Sequence, residues 1–194
     1  SLALFYASAR AKRPPLLPER LVLLGAAPLD PETKSEFRKN LEERLPPAVR
    51  AERDRIDSEY EAAKDEGERE RLRIRNLDLI TPYYNAVPES TQSLGAPVWN
   101  YSEFESIGDD LNPRIERGEI PGILSRISVP VVSFHGSLDP IPGIRVQAFL
   151  RRHLRDFRSR TYVGAGHFAW VEPGGIGDRF VGDLRAELRR SIPF

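Results

Sequence analysis

The sequence predicts an α/β fold: parallel strands with flanking helices, interrupted by a long helical insertion. Two observations carry this. Three short strand-like runs, "RLVLLGAA" (20–27), "ISVPVVSFHG" (127–136) and "SRTYVGAGHF" (159–168), stand among helical stretches. The order is helix, strand, helical insertion, strand, helix, strand, helix, and alternation of buried strands with helices is the mark of a parallel sheet.

Residues 2–11 read as a helix, ended by "KRPPLLP", because proline lacks an N–H and restricts the residue before it. "RLVLLGAA" then reads as a strand buried on both faces. "LDPETKSEF" (29–37) opens a helix, with Asp30 as N-cap, Pro31 at the first helical position and Glu32 at the positive end of the helix dipole. To about residue 76 the chain is highly charged. Val49, Ile56, Tyr60 and Ala63 fall at helical spacing, which predicts two or three thin helices with a solvated face, interrupted at Gly67. Residues 77–111 are rich in aromatics (Tyr83, Tyr84, Trp99, Tyr101, Phe104) and punctuated by Pro and Gly. Such a segment either closes over an apolar ligand or packs helices together, and the residues alone leave both open. "IRVQAFLRRHL" (144–154) reads as an amphipathic helix with Ile144, Ala148, Phe149 and Leu154 inward. "GDRFVGDLRAELRRSI" (177–192) is the last helix, with Phe180, Val181, Leu184 and Leu188 inward. The expected organisation is a core segment 1–28, an inserted segment 29–125 and a second core segment 126–194.

Composition excludes several classes. Lys+Arg and Asp+Glu number 29 each, so nothing favours nucleic acid or an anionic membrane as partner. No apolar run approaches the length of a membrane span. Cysteine is absent, which removes thiolate nucleophiles and cysteine metal sites and leaves the compartment unread, with the cytoplasm favoured. The three histidines lack metal-ligand spacing, so no metal and no cofactor is expected. The "EPGGIGDR" run follows no strand and reads as a turn.

The chemistry concentrates at two strand ends. Asp139 in "FHGSLDPIP" follows the second strand, and His167 in "VGAGHFAW" follows the third, 28 residues later. Strand C-termini of an open parallel sheet line the crevice where ligands bind. A carboxylate beside an imidazole fixes the tautomer through Nδ1–H and stabilises the imidazolium, leaving Nε2 to take a proton from a nucleophile. Gly164 and Gly166 allow the turn that aims the ring. Taken singly, Asp139 suits a turn and His167 a loop; as a pair on successive strand ends they read as acid and base. His135 stands too early in its loop and reads as structural, and His153 reads as exposed on a helix.

These residues resemble the α/β-hydrolases across nearly the whole chain. "ISVPVVSFHGSLDPIP" is similar to that family's strand and acid loop, "YVGAGHFAWVEP" to its last strand and histidine loop, and "PERLVLLGAAP" to the strand after the nucleophile helix. The insertion 29–125 looks like the family's cap. The resemblance implies that Asp139 is the triad acid and His167 the base. The cap segments "DLITPYYNAV" and "APVWNYSEFES" look most like proline iminopeptidases. That narrower likeness implies an aminopeptidase acting on a small-molecule or short-peptide substrate. Trp99, Tyr101 and Phe168 would contact the substrate, and Glu103 or Glu105 would hold its amine.

The family's G-x-S-x-G nucleophile elbow is not in this sequence. "SLALFYA" resembles the helix that follows that elbow, which places the nucleophile about four residues before Ser1 and the oxyanion loop further upstream. Ser8, Ser102, Ser125, Ser128, Ser133 and Ser137 lack the strand–turn–helix context. Methionine is also absent, and the chain is expected to be a piece that pairs with a missing N-terminal portion and is inactive alone. The expected function is a serine-type hydrolase of esters or amides. Two alternatives stand beside it: an aspartate-nucleophile hydrolase of the epoxide hydrolase or dehalogenase type, and a non-catalytic fragment or binding module.

Overall fold

The computed structural model describes residues 2–11, 18–95 and 101–190, with only the backbone of Leu2 and of 101–104. Helix α1 (Leu2–Arg10) leads to strand β1 (Leu21–Leu24). Five helices follow before the next strand: α2 (Pro31–Arg44), α3 (Pro47–Ala62), α4 (Glu66–Ile80), α5 (Tyr101–Glu116) and α6 (Ile120–Leu124). Two 3₁₀ segments, Thr81–Tyr84 and Pro88–Leu94, lie between α4 and α5. Then come β2 (Val131–Gly136), α7 (Gly143–His153), β3 (Phe157–Tyr162) and α8 (Ile176–Arg189).

The three strands form one parallel sheet in the order β1-β2-β3. Parallel strands need crossover connections that place helices over the faces. Against one face Leu21, Leu23 and Val131 pack with Leu4 and Ala7 of α1, Ile123 and Leu124 of α6, and Val146 and Leu150 of α7. On the other face Val132, Phe134 and Tyr162 pack with Phe180 of α8. Strand β2 is buried along its whole length.

Several expectations need correction. β1 is buried on one face only: Leu21 and Leu23 are in the core, whereas Leu24 is 38% exposed. Its other face lies beyond α8, which packs under β2 and β3. The α3–α4 break falls at 63–65, not at Gly67. Asp65 caps α4 by accepting the Glu68 N–H at 2.9 Å, and Gly67 sits inside the first turn. The inward face of α7 is Val146, Gln147 and Leu150, while Ile144 is 80% exposed and Ala148 is also outward. In α8 Leu188 is 63% exposed. Glu187 takes the buried place beside it because Arg20 and Arg158 meet its carboxylate at 3.1 and 3.0 Å.

The other caps and charges follow the sequence. Asp30 caps α2, accepting from the Thr33 N–H at 2.8 Å and the Thr33 hydroxyl at 2.7 Å. Helix α4 buries no residue, and its Arg75 pairs with Glu52 and Glu59 of α3 on the surface, contacts worth little each. Among the described residues no helix is long and apolar enough to cross a membrane.

Candidate active site

Strand β2 ends at Gly136 and the chain turns at once. The Ser137 N–H donates to Tyr162 O at 2.9 Å and the Leu138 N–H to Ala165 O at 2.8 Å, so the acid turn is sewn to the loop after β3. Asp139 is 6% exposed. Its Oδ1 accepts the Ile141 N–H at 2.8 Å, a side-chain turn that fixes the carboxylate. Its Oδ2 lies 2.8 Å from His167 Nδ1. The acid and the imidazole that the sequence singled out are therefore in direct contact.

Burial alone would raise the Asp139 pKa. Hydrogen bonds from His135 and His167, with the charges those rings can carry, outweigh it and hold the carboxyl below its ordinary value. An ionised Asp139 requires the proton on His167 Nδ1, which leaves Nε2 with its lone pair outward. Among the described residues nothing hydrogen-bonds Nε2, and the side chain keeps 19% of its surface exposed.

The His167 ring is held from several sides. Phe168 meets it edge-on with centroids 4.9 Å apart, and Tyr84 does the same at 5.5 Å. Gly25, just after β1, has φ +56°, and a β-carbon there would stand 2.6 Å from His167 Cε1. Only glycine fits both demands. Desolvation, then the Asp139 charge, push the Tyr84 hydroxyl up to about 12, so it stays protonated.

The histidine loop is clamped by the segment 84–86 of the insertion. Tyr84 O accepts the His167 N–H at 2.9 Å, and Asn85 Oδ1 accepts the Phe168 N–H at 2.8 Å. Glu172 Oε1 accepts the N–H groups of Ala86 at 2.7 Å and Gly166 at 2.8 Å. Contact is so close that a β-carbon on Gly166 would come within 2.3 Å of Asn85 Cα. Asn85 and Glu172 are buried at 3% and 4% exposure. Arg44 of α2 donates to Leu138 O and to Tyr83 O, joining the acid turn to the same segment.

The structure also corrects the reading of two other histidines. His135 is structural as expected, yet it belongs to the site: it lies on β2, is 1% exposed, and its Nε2 is 3.0 Å from Asp139 Oδ2. His153 is half-buried, its ring against Phe149 at 4.7 Å. Of the remaining candidates, Trp99 lies outside the described residues. Tyr101 and Glu103 fall at the start of α5, with their side chains also outside them, and Glu105 is exposed on that helix. Sequence reasoning missed Tyr84, Asn85 and Gly25 as parts of the site. The "YYN" triplet gave a signal of aromatics but none of backbone acceptors.

A cavity of about 550 Å³ opens between α1, α2 and α5, lined by Ala3, Ala27, Pro28, Phe37, Leu111 and Ile115 among others. Phe37 touches Tyr84 at 5.8 Å between centroids, so the cavity is one ring from the ring that covers His167. Lys34 at its edge donates to Asn112 Oδ1 at 2.9 Å. No group of three or more metal-ligating side chains occurs among the described residues.

No protein-family model matches the chain, and no curated protein does. Among solved structures it is similar to an acetylester hydrolase from Corynebacterium glutamicum, with TM-score 0.50 and 15% identity over 95% of this chain and 58% of that one. It is also similar to an α/β-hydrolase enzyme from a Medee basin deep-sea metagenome library, with TM-score 0.49 and 14% identity over 98% of this chain and 63% of that one. The chain thus spans less than two thirds of either protein. Its parallel sheet and flanking helices are those of the C-terminal part of an α/β-hydrolase fold.

Proposed function

We propose that Asp139 and His167 are the acid and base of a serine hydrolase acting on esters or amides, with the nucleophile contributed by residues preceding Ser1. The observation that carries this is the 2.8 Å contact between Asp139 Oδ2 and His167 Nδ1. It joins two groups at the C-terminal ends of successive parallel strands, with Nε2 left for a proton. His167 takes the nucleophile's proton as it attacks the carbonyl and returns it to the leaving group. Asp139 stabilises the imidazolium at each passage. Water, deprotonated at the same Nε2, then releases the acyl group.

The apolar cavity beside Phe37 suits the acyl part of the substrate. Helices α2–α5 act as the cap over it. The aminopeptidase version of this reading rests on the sequence likeness, with Glu103 or Glu105 binding the substrate amine. An aspartate nucleophile would keep the same pair, with His167 activating water in the second step.

The test is labelling of the full-length protein by a fluorophosphonate. Labelling that is lost in His167→Ala supports the serine reading. Turnover without labelling shifts the reading to an aspartate nucleophile. Residues 1–194 alone are expected not to label, because among the described residues no hydroxyl is hydrogen-bonded to His167. A full-length protein that neither labels nor hydrolyses any ester or amide contradicts the proposal.

A further inference from the structure

Asp139 is approached by two imidazoles, and only one of them has a place in the mechanism above. His135 Nε2 stands 3.0 Å from Asp139 Oδ2 and 3.1 Å from Ile141 O. Both neighbours are acceptors, and one carries charge. A lone pair on Nε2 would face two others, so Nε2 holds the proton. The opposite nitrogen, Nδ1, is buried and has no hydrogen-bond partner. A proton placed there instead of on Nε2 would be a buried donor with nothing to receive it. Helix α7 begins so close to the ring that a β-carbon on Gly143 would stand 2.4 Å from His135 Cδ2.

We propose that His135 is a positioning residue, whose Nε2–H, shared with Ile141 O, holds the Asp139 carboxylate in register with His167. The inference rests on the hydrolase reading for its kinetic consequence, but not for the tautomer of the ring. Asp139 Oδ1 is fixed by the Ile141 N–H, and Oδ2 by His135 on one side and His167 on the other. The Ile141 peptide is held twice as well, by Asp139 through its N–H and by His135 through its C=O. Asp139, Ile141 and His135 therefore close a ring of contacts that leaves the carboxylate one orientation, the one that meets His167 Nδ1.

The other groups that bear on Asp139 electrostatically are Arg44 of α2 and Tyr84. Tyr84 stays protonated, so its hydroxyl adds no charge beside the carboxylate. Without the His135 donor the carboxylate would be more negative toward His167 and less fixed in angle. The imidazolium would be held more tightly and the ring misaimed.

The test uses the full-length protein. In His135→Leu, kcat is expected to fall about tenfold or more, KM to stay within about twofold, and the acid limb of kcat/KM to move to higher pH. In His135→Gln, whose amide carries a donor at a similar reach, most of kcat is recovered and the limb moves back. A His135→Leu protein with wild-type kcat and an unmoved limb would overturn the inference, as would equal losses in the two variants. Nitrogen-15 spectra of the wild-type ring need no variant to fold. They are expected to show the neutral ring as the tautomer with its proton on Nε2 and a bare Nδ1. The tautomer with its proton on Nδ1 refutes the inference whatever the activity. Wild-type activity in His167→Ala instead refutes the proposed function, so the two fail separately.

Discussion

The backbone carbonyl of Tyr84 accepts the His167 N–H at 2.9 Å, and the Tyr84 ring stands edge-on to the imidazole at 5.5 Å. The insertion and the histidine loop are thus one unit at this point. A segment expected to serve as lid or packing supplies the backbone acceptor that fixes the base. Any motion of residues 81–86 relative to the sheet must either carry His167 along or break this bond.

Glu172 is the counterpart of that contact from the other side. Glu172→Ala removes the acceptor of two N–H groups, Gly166 and Ala86. Leaving a buried donor unsatisfied costs about 1–3 kcal/mol. The full chain is expected to lose about 2–5 kcal/mol in urea unfolding, with hydrolysis falling as His167 loosens. Unchanged stability would show that water replaces the carboxylate freely.

Gly25 ties the end of β1 to the imidazole. Gly25→Ala meets His167 at 2.6 Å and adopts φ +56°, a conformation costing a residue with a β-carbon about 1–2 kcal/mol. The expected outcome is a modest drop in melting temperature and a loss of kcat of about a hundredfold, since misplacement of about 1 Å costs that much. Wild-type kcat in this variant would mean that the ring has room the structure does not show.

Asp139 also carries a stability prediction with a definite sign. Its carboxyl is held below the ordinary value because the His135 and His167 hydrogen bonds outweigh the opposing effect of burial. A depressed carboxylate stabilises the fold above its unfolded pKa of about 3.9, and that contribution is lost as pH falls through the lower folded value. The stability gap between the wild type and Asp139→Asn is therefore expected to be constant near neutrality and to shrink below about pH 4. Chemical denaturation across that range measures it, and a gap that widens on acidification would reverse the assignment.

The core allows a control that touches neither Asp139 nor His167. Phe180 of α8 is 2% exposed and packs on Phe134, Tyr162 and Trp170. Phe180→Ala is expected to cost about 3–5 kcal/mol while leaving KM unchanged in the folded fraction. Together with Gly25→Ala, it separates loss of fold from loss of site.

The parts of the fold written in local signals were legible in the sequence. Asp30 and Pro31 announced α2, and Val131, Val132 and Phe134 announced β2, which is Val131–Gly136 where 129–134 was expected. Asp139 and His167 were legible because strand ends of a parallel sheet leave few places for chemistry. What failed depended on neighbours far along the chain. Strand β3 begins at Phe157, four residues before the expected strand 161–163, because Arg158 and Arg160 break an apolar pattern while Glu187 and Asp183 of α8 neutralise them. In α7 Phe149 and Leu154 pack on the core as expected, while Ile144, at the helix start, and Ala148 face outward. His135 looked inert because its partner, Asp139, is set by the turn and not by the spacing. The Tyr84–Ala86 clamp works mostly through backbone groups, which carry no side-chain signature.

The central claim is that His167 is the base. The most direct measurement is kcat for hydrolysis of a p-nitrophenyl ester by the full-length protein and its His167→Ala variant, with the fold of each checked by its melting temperature. The account predicts a loss of about a hundredfold or more in kcat with KM little changed. A folded His167→Ala protein that hydrolyses the ester at the wild-type rate would contradict it.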